Sequence, residues 1–135
     1  MVIDVRKEAT FTPEWNGNRE LPESDQIQVV HRFLTPGEKQ KYYYTEPIEL
    51  SGEKPKTHYV QDLPGHVRAV VTEVRNLTLQ VDGKEKKITT GNDLYNVAGV
   101  PYMLVAEIER YMMNAEPEVD TDFLFEKPNA GNTNV

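Results

Sequence analysis

Apolar and polar residues alternate at the start of the chain. Ile3, Val5, Ala9 and Phe11 fall on one side, and Asp4, Arg6, Glu8 and Thr10 on the other, with Lys7 as the one break on the apolar side. A period of two predicts a half-buried strand near 3–11. A second alternation follows, with Ile27, Val29, His31 and Phe33 opposite Gln28, Val30 and Arg32. It predicts a strand near 26–33 that pairs with the first. Leu77, Leu79 and Val81 alternate again up to Asp82-Gly83, and Lys84–Ile88 returns. Asp-Gly is the preferred pair for a two-residue type I′ turn, so 77–88 reads as a β-hairpin in which Val81 faces Lys84, Leu79 faces Lys86 and Leu77 faces Ile88.

Helical signals are shorter. Thr35-Pro36-Gly37-Glu38 has the form of a capping box with proline in the first turn, and predicts a helix from Pro36 to about Tyr44. Thr90 as N-cap, with Asp93 near the positive helix end, predicts a second helix that stops by Gly99. The best helix lies near 101–113, where Leu104, Ile108, Tyr111 and Met112 form a stripe broadened by Val105. Val67, Val70, Val71 and Val74 recur at helical spacing and predict a helix, against the strand preference of valine. Residues 45–62 are polar, with Pro47, Pro55 and Gly52, and read as a loop with a short strand at Ile48–Leu50. The expected architecture is α+β: a small antiparallel sheet with the 77–88 hairpin, two to four short helices, and an extended acidic C-terminal tail.

Length and charge refine this picture. A chain of 135 residues closes one hydrophobic core, assigned to residues 1–113. Of the net charge of −7, residues 114–135 carry −4: Glu116, Glu118, Asp120, Asp122 and Glu126 stand against Lys127 alone. These residues form an acidic arm whose apolar content is mainly Phe123-Leu124-Phe125, a short docking segment. An acidic balance argues against nucleic acid as a partner, since phosphate binding needs a positive surface. No apolar run approaches the roughly 20 residues of a membrane helix, so no membrane association is expected.

Chemistry is sparse. The chain has no cysteine, and His31, His58 and His66 lack the spacing of a helical metal pair. His31, on an apolar strand face, reads as a satisfied buried side chain. No nucleophile elbow, phosphate loop or dinucleotide fingerprint is present. No catalytic residue, metal or cofactor is therefore expected. Trp15 either caps the core or anchors a partner, since tryptophan is enriched at interfaces. Within Tyr42-Tyr43-Tyr44, successive helical positions diverge by about 100°, so at least one ring meets solvent or a partner, and Tyr43 is the candidate. With Phe123, Leu124 and Phe125, these residues make up the expected partner-binding set.

The order of these parts resembles the tail assembly chaperones of long-tailed bacteriophages. The likeness is carried by Phe11-Thr12-Pro13-Glu14-Trp15-Asn16-Gly17-Asn18 with Leu21-Pro22, the Thr-Pro-x-Glu helix start, Glu73-Val74-Arg75-Asn76-Leu77-Thr78-Leu79, Asp82-Gly83-Lys84, and Ile88-Thr89-Thr90-Gly91-Asn92-Asp93-Leu94. It spans about residues 5–112, while residues 45–62 and the acidic arm depart from it. The resemblance implies a non-enzymatic protein that holds tape-measure or tail-tube subunits in the host cytoplasm. Such proteins self-associate, use no cofactor and often occur in a second, frameshift-extended form. The alternative from another class is a structural component of the virion, such as a head–tail connector, tail-completion or capsid-accessory subunit. A generic cellular adaptor is the third reading.

Overall fold

The computed structural model describes residues 1–48, 52, 54 and 56–119. The fold is α+β. Strands β1 (Glu8–Phe11), β2 (Gln28–Arg32) and β5 (Val71–Arg75) form an antiparallel sheet in the order β1-β2-β5. β3 (Tyr43–Ile48) pairs with β4 (Lys56–Gln61), and β6 (Thr78–Val81) with β7 (Lys84–Lys87), as two separate hairpins. The α-helices are α1 (Pro36–Tyr42), α2 (Leu63–Val70), α3 (Gly91–Asn96) and α4 (Tyr102–Asn114), and short 3-10 turns cover Trp15–Glu20 and Glu23–Asp25.

Local chemistry explains most of these boundaries. Thr35 Oγ1 accepts the Glu38 amide while the Glu38 carboxylate accepts the Thr35 amide, and Thr90 with Asp93 repeats the arrangement at α3. In the β6–β7 turn Asp82 and Gly83 both take positive φ, 52° and 79°, and the expected register follows: Val81 opposite Lys84, Leu79 opposite Lys86. The Ile88 amide reaches the Leu77 carbonyl at 2.9 Å and extends the hairpin by one step. Gly91 lets α3 approach α2, since a Cβ there would stand 3.1 Å from the Val67 carbonyl oxygen and the Arg68 Cα.

Several expectations are corrected. The first strand starts at Glu8 rather than residue 3, because β2 offers it partners only as far as Arg32. Helix α1 stops at Tyr42, and Tyr43 and Tyr44 enter β3. The segment 45–62, read as a loop, holds most of the β3–β4 hairpin, and of the short strand expected at Ile48–Leu50, Glu49 and Leu50 lie outside the described residues. The valine stripe is divided: Val67 and Val70 belong to α2, Val71 and Val74 to β5. A bulge explains how the spacing misleads. Val30 pairs with Glu73 and His31 with Val71, so Thr72 is an extra residue. The insertion restores the facing of the strand, and two valines three apart both point inward.

The core gathers Val29, Val67, Val70, Leu104, Ile108 and Met112, each essentially fully buried, with Ile88 and Leu94 beside them. The α4 stripe expected from sequence is therefore the stripe that is buried. One polar side chain is built into the wall. Asn18 donates to the carbonyls of Pro13 (2.8 Å) and Ile27 (3.0 Å), and accepts the Ile27 amide (2.7 Å). It ties the long connection after β1 to the entry of β2. Replacing it by alanine strands buried backbone groups, each costing about 1–3 kcal/mol. The Asn18→Ala chain is expected to lose about 2–3 kcal/mol in a denaturant titration, whereas Asn16→Ala, at an exposed position with φ 53°, is expected to lose less.

Candidate partner-binding surfaces

Trp15 is half-buried and packs against the core. Its amide donates to Glu107 Oε1 at 3.0 Å, and the Glu14 amide to Glu107 Oε2 at 2.7 Å. One carboxylate on α4 thereby closes the turn that carries the indole. The ring lines a shallow open groove with Phe11, Glu107, Arg110 and Tyr111.

Tyr43 is half-buried at the base of the β3–β4 hairpin. Its hydroxyl lies 2.6 Å from His66 Nδ1, with the rings edge-on at 5.5 Å. Burial raises the phenol pKa and lowers that of His66 to about 4, with Lys39 adding to the second shift. The imidazole is thus neutral near pH 7, and the phenol donates to it. Structure places Tyr43 and Trp15 in different surroundings rather than in one patch. Phe123, Leu124 and Phe125 lie outside the described residues.

His31 is fully buried, as its place on the strand suggested. Its Nδ1 lies 2.8 Å from the Arg32 carbonyl, which accepts only, so that nitrogen carries the proton. Nε2 is left to accept from the Tyr111 hydroxyl at 2.9 Å. Burial lowers the His31 pKa, against a smaller opposing effect of the Arg32 bond. His31 and His66 both line a cleft of about 280 Å³ between α1 and the end of α4, walled by Phe33, Leu34, Met112 and Met113. At its rim Arg32 makes a two-pronged ion pair with Glu38, 2.8 Å at each contact, which holds the Glu38 carboxyl at about 2.

An exposed feature that the sequence reading missed is the β3–β4 hairpin. Six residue pairs, from Tyr43–Gln61 to Ile48–Lys56, form a ribbon exposed on both faces. Among the described residues its one neighbouring element with appreciable contact is α1, which leads into it. Its base is pinned by the Tyr43–His66 bond, by the Asp62 amide on the Tyr42 carbonyl (2.8 Å), and by the Gln61 side chain at Met113 Sδ (3.5 Å). Beyond that base Tyr44 and Tyr59 are exposed. The signal that could have found it is the β-favouring set Thr45, Ile48, Thr57, Tyr59 and Val60 on either side of Gly52.

The two edges of this ribbon differ. Proline has no N–H to give a ladder, so Pro47 turns its nitrogen to the outer edge of β3 and interrupts it. Thr57 is its cross-strand partner. Antiparallel pairs alternate between bonded and non-bonded, so Thr57 and Tyr59 turn their N–H and C=O groups outward along β4. The β4 edge is thus the one suited to receive another strand.

Compared with protein-family models, with curated proteins and with solved structures, the chain gives no match. The resemblance to tail assembly chaperones accordingly rests on its short motifs. No helix among the described residues is long and apolar enough to cross a membrane, and no three of their His, Asp or Glu side chains converge as a metal site would need.

The depressed pKa of His66 sets a pH dependence. An unfolded histidine binds protons below about 6.5 and the folded one only near 4, so the unfolded state gains stability as pH falls through that interval. The contribution is complete above about 6.5 and is lost toward pH 4, amounting to about 2–3 kcal/mol. Denaturant titrations at pH 7, 5.5 and 4.5 are expected to follow that slope. A His66→Gln chain is expected to be less stable at pH 7 but flatter across the interval.

Proposed function

We propose that the chain is a non-enzymatic morphogenesis protein of a long-tailed bacteriophage that binds tail proteins, in the manner of a tail assembly chaperone. The phage assignment rests on the resemblance of the short motifs; the observation that carries the partner-binding part of the reading is the β3–β4 hairpin, in the segment that departs from those motifs. A two-stranded ribbon exposed on both faces is marginal in water by itself, and its β4 edge, uncovered among the described residues and with Tyr59 exposed along it, suits a protein partner. Strand addition supplies affinity through main-chain hydrogen bonds, with specificity from alternate side chains. In this reading tape-measure or tail-tube subunits, while still unpolymerised, contribute the added strand. Binding is non-covalent and needs no cofactor, nucleic acid or membrane.

A second reading, a subunit retained in the virion, is favoured by one further observation. Met1, Val2, Ile3 and Val5 form an exposed apolar run, a surface that a resident subunit would keep covered. Mass spectrometry of purified, finished particles separates the two: a chaperone is absent, a structural subunit present in fixed ratio.

Strand addition at β4 is tested by proline. Thr57→Pro removes an outward N–H and leaves the β3–β4 ladder intact, whereas His58→Pro removes an inward one. On co-expression with tail-tube and tape-measure proteins, the Thr57→Pro chain is expected to keep its circular dichroism spectrum and lose at least tenfold in partner affinity. Wild-type affinity in that chain excludes the β4 edge as the binding site. Failure of wild-type protein to capture any tail protein removes the functional reading itself.

A further inference from the structure

The chain leaving α4 crosses to the edge of the three-stranded sheet. Glu116 meets Lys39 Nζ at 3.0 Å. The Arg6 amide donates to the Glu118 carbonyl at 3.2 Å, and the Arg6 guanidinium stands 3.5 Å from the Glu118 carboxylate. Val5 and Val119 then form an antiparallel bridge. β1 is an edge strand, and the residues before Glu8 run past Arg32, the last residue of β2 in register with it. Residues 115–119 therefore occupy an edge that no other described strand reaches. Their fit is one of charge as well as backbone, with two acids seated on two bases.

Everything that holds this strap is at the surface. The four side chains of the two ion pairs are between 54% and 76% exposed, and exposed pairs contribute little and are screened by salt. The backbone adds one bridge. The strap also leaves the apolar run unprotected: Met1, Val2, Ile3 and Val5 stay 46–93% exposed. An extended apolar edge so lightly covered is a template for pairing with another chain.

We propose that this seat is a self-association site whose occupant is the same strap from a second copy. Residues 115–119 of each chain pivot at Asn114–Ala115 and lie on the Val5–Arg6 edge of the other. The seat already matches this sequence, so the contacts seen within one chain form equally between two, as in domain swapping. Exchange also sets each strap, through Val119, beside the exposed Met1–Val5 run of the other copy. This interface is separate from the β4 edge, and purified protein alone tests it.

Charge reversal provides that test with full-length chains. One variant carries R6E and K39E, the other E116K and E118K. Each alone faces like charge at every seat, whereas a mixed pair restores both seats. Sedimentation across micromolar to millimolar concentration is expected to show wild-type dimers, at least tenfold weaker association for either variant alone, and recovery on mixing. In about 1 M salt, where screening acts within about 3 Å, the wild-type dimer is expected to weaken. The chain has no cysteine, so an equimolar mixture of V5C and V119C chains is expected to form a 5–119 disulfide dimer under mild oxidation. Wild-type protein and mixture that both stay monomeric, with the 5–119 disulfide formed only inside a doubly substituted V5C/V119C chain, overturn the proposal.

Discussion

The junction between α4 and the three-stranded sheet depends on one aromatic ring. Tyr111 stacks on Phe11 of β1, with centroids 3.9 Å apart and planes within 11°. Its hydroxyl meets His31 of β2, edge-on to it at 5.2 Å. A buried imidazole with an unmatched nitrogen is costly, so His31 constrains what lies above it. The Arg32 carbonyl takes one nitrogen, and only a donor suits the other. A phenol meets that need while burying a ring against β1, which a serine or a lysine would not do. The seating of α4 over β1 and β2 thus answers a polar requirement as well as the apolar contacts of the core.

That coupling explains which parts of the fold were legible from residues. The β6–β7 hairpin, the two capping boxes and the α4 stripe are each set by neighbours a few positions away. Asp82-Gly83 requires positive φ, Thr35 needs Glu38, and Leu104, Ile108 and Met112 share a face whatever they meet. The α2–β5 boundary is different in kind. Helical spacing from Val67 to Val74 is real, but the bulge at Thr72 lets a strand present Val71 and Val74 to the same side. A bulge depends on the pairing partner, so the segment itself does not announce it. The β3–β4 hairpin was obscure for another reason: exposed on both faces, it lacks the apolar alternation that burial imposes.

The candidate residues divide along similar lines. Trp15 shows its type and place in sequence, but its disposition depends on Glu107, ninety-two residues away. Tyr43 was singled out as one of three adjacent rings on a helix. Its surroundings come instead from the strand it enters and from His66, whose role no spacing rule suggests because the pair meets only after α2 folds back on α1. Nothing in the sequence around Lys39 or Arg6 marks them; their partners Glu116 and Glu118 lie at the other end of the chain.

The remaining question for any sheet is what happens at its edges. At the β5 side the Thr89 carbonyl accepts the Val74 amide at 2.9 Å, and α3 lies close by. Pro47 interrupts β3. The N-terminal extension of β1 is covered by a strap held through surface contacts, and the outward groups of β4 at Thr57 and Tyr59 follow the opposite edge of the ribbon. Proteins that gain nothing from an open edge blunt it with proline, charge or a covering element. Here the devices fall on β3, β5 and, lightly, β1, while β4 has its tyrosine and its backbone groups turned outward. Of the edges of these two sheets, β4 is the one that none of these devices meets among the described residues, and its outward groups fall in the regular alternation that a further antiparallel strand would pair with.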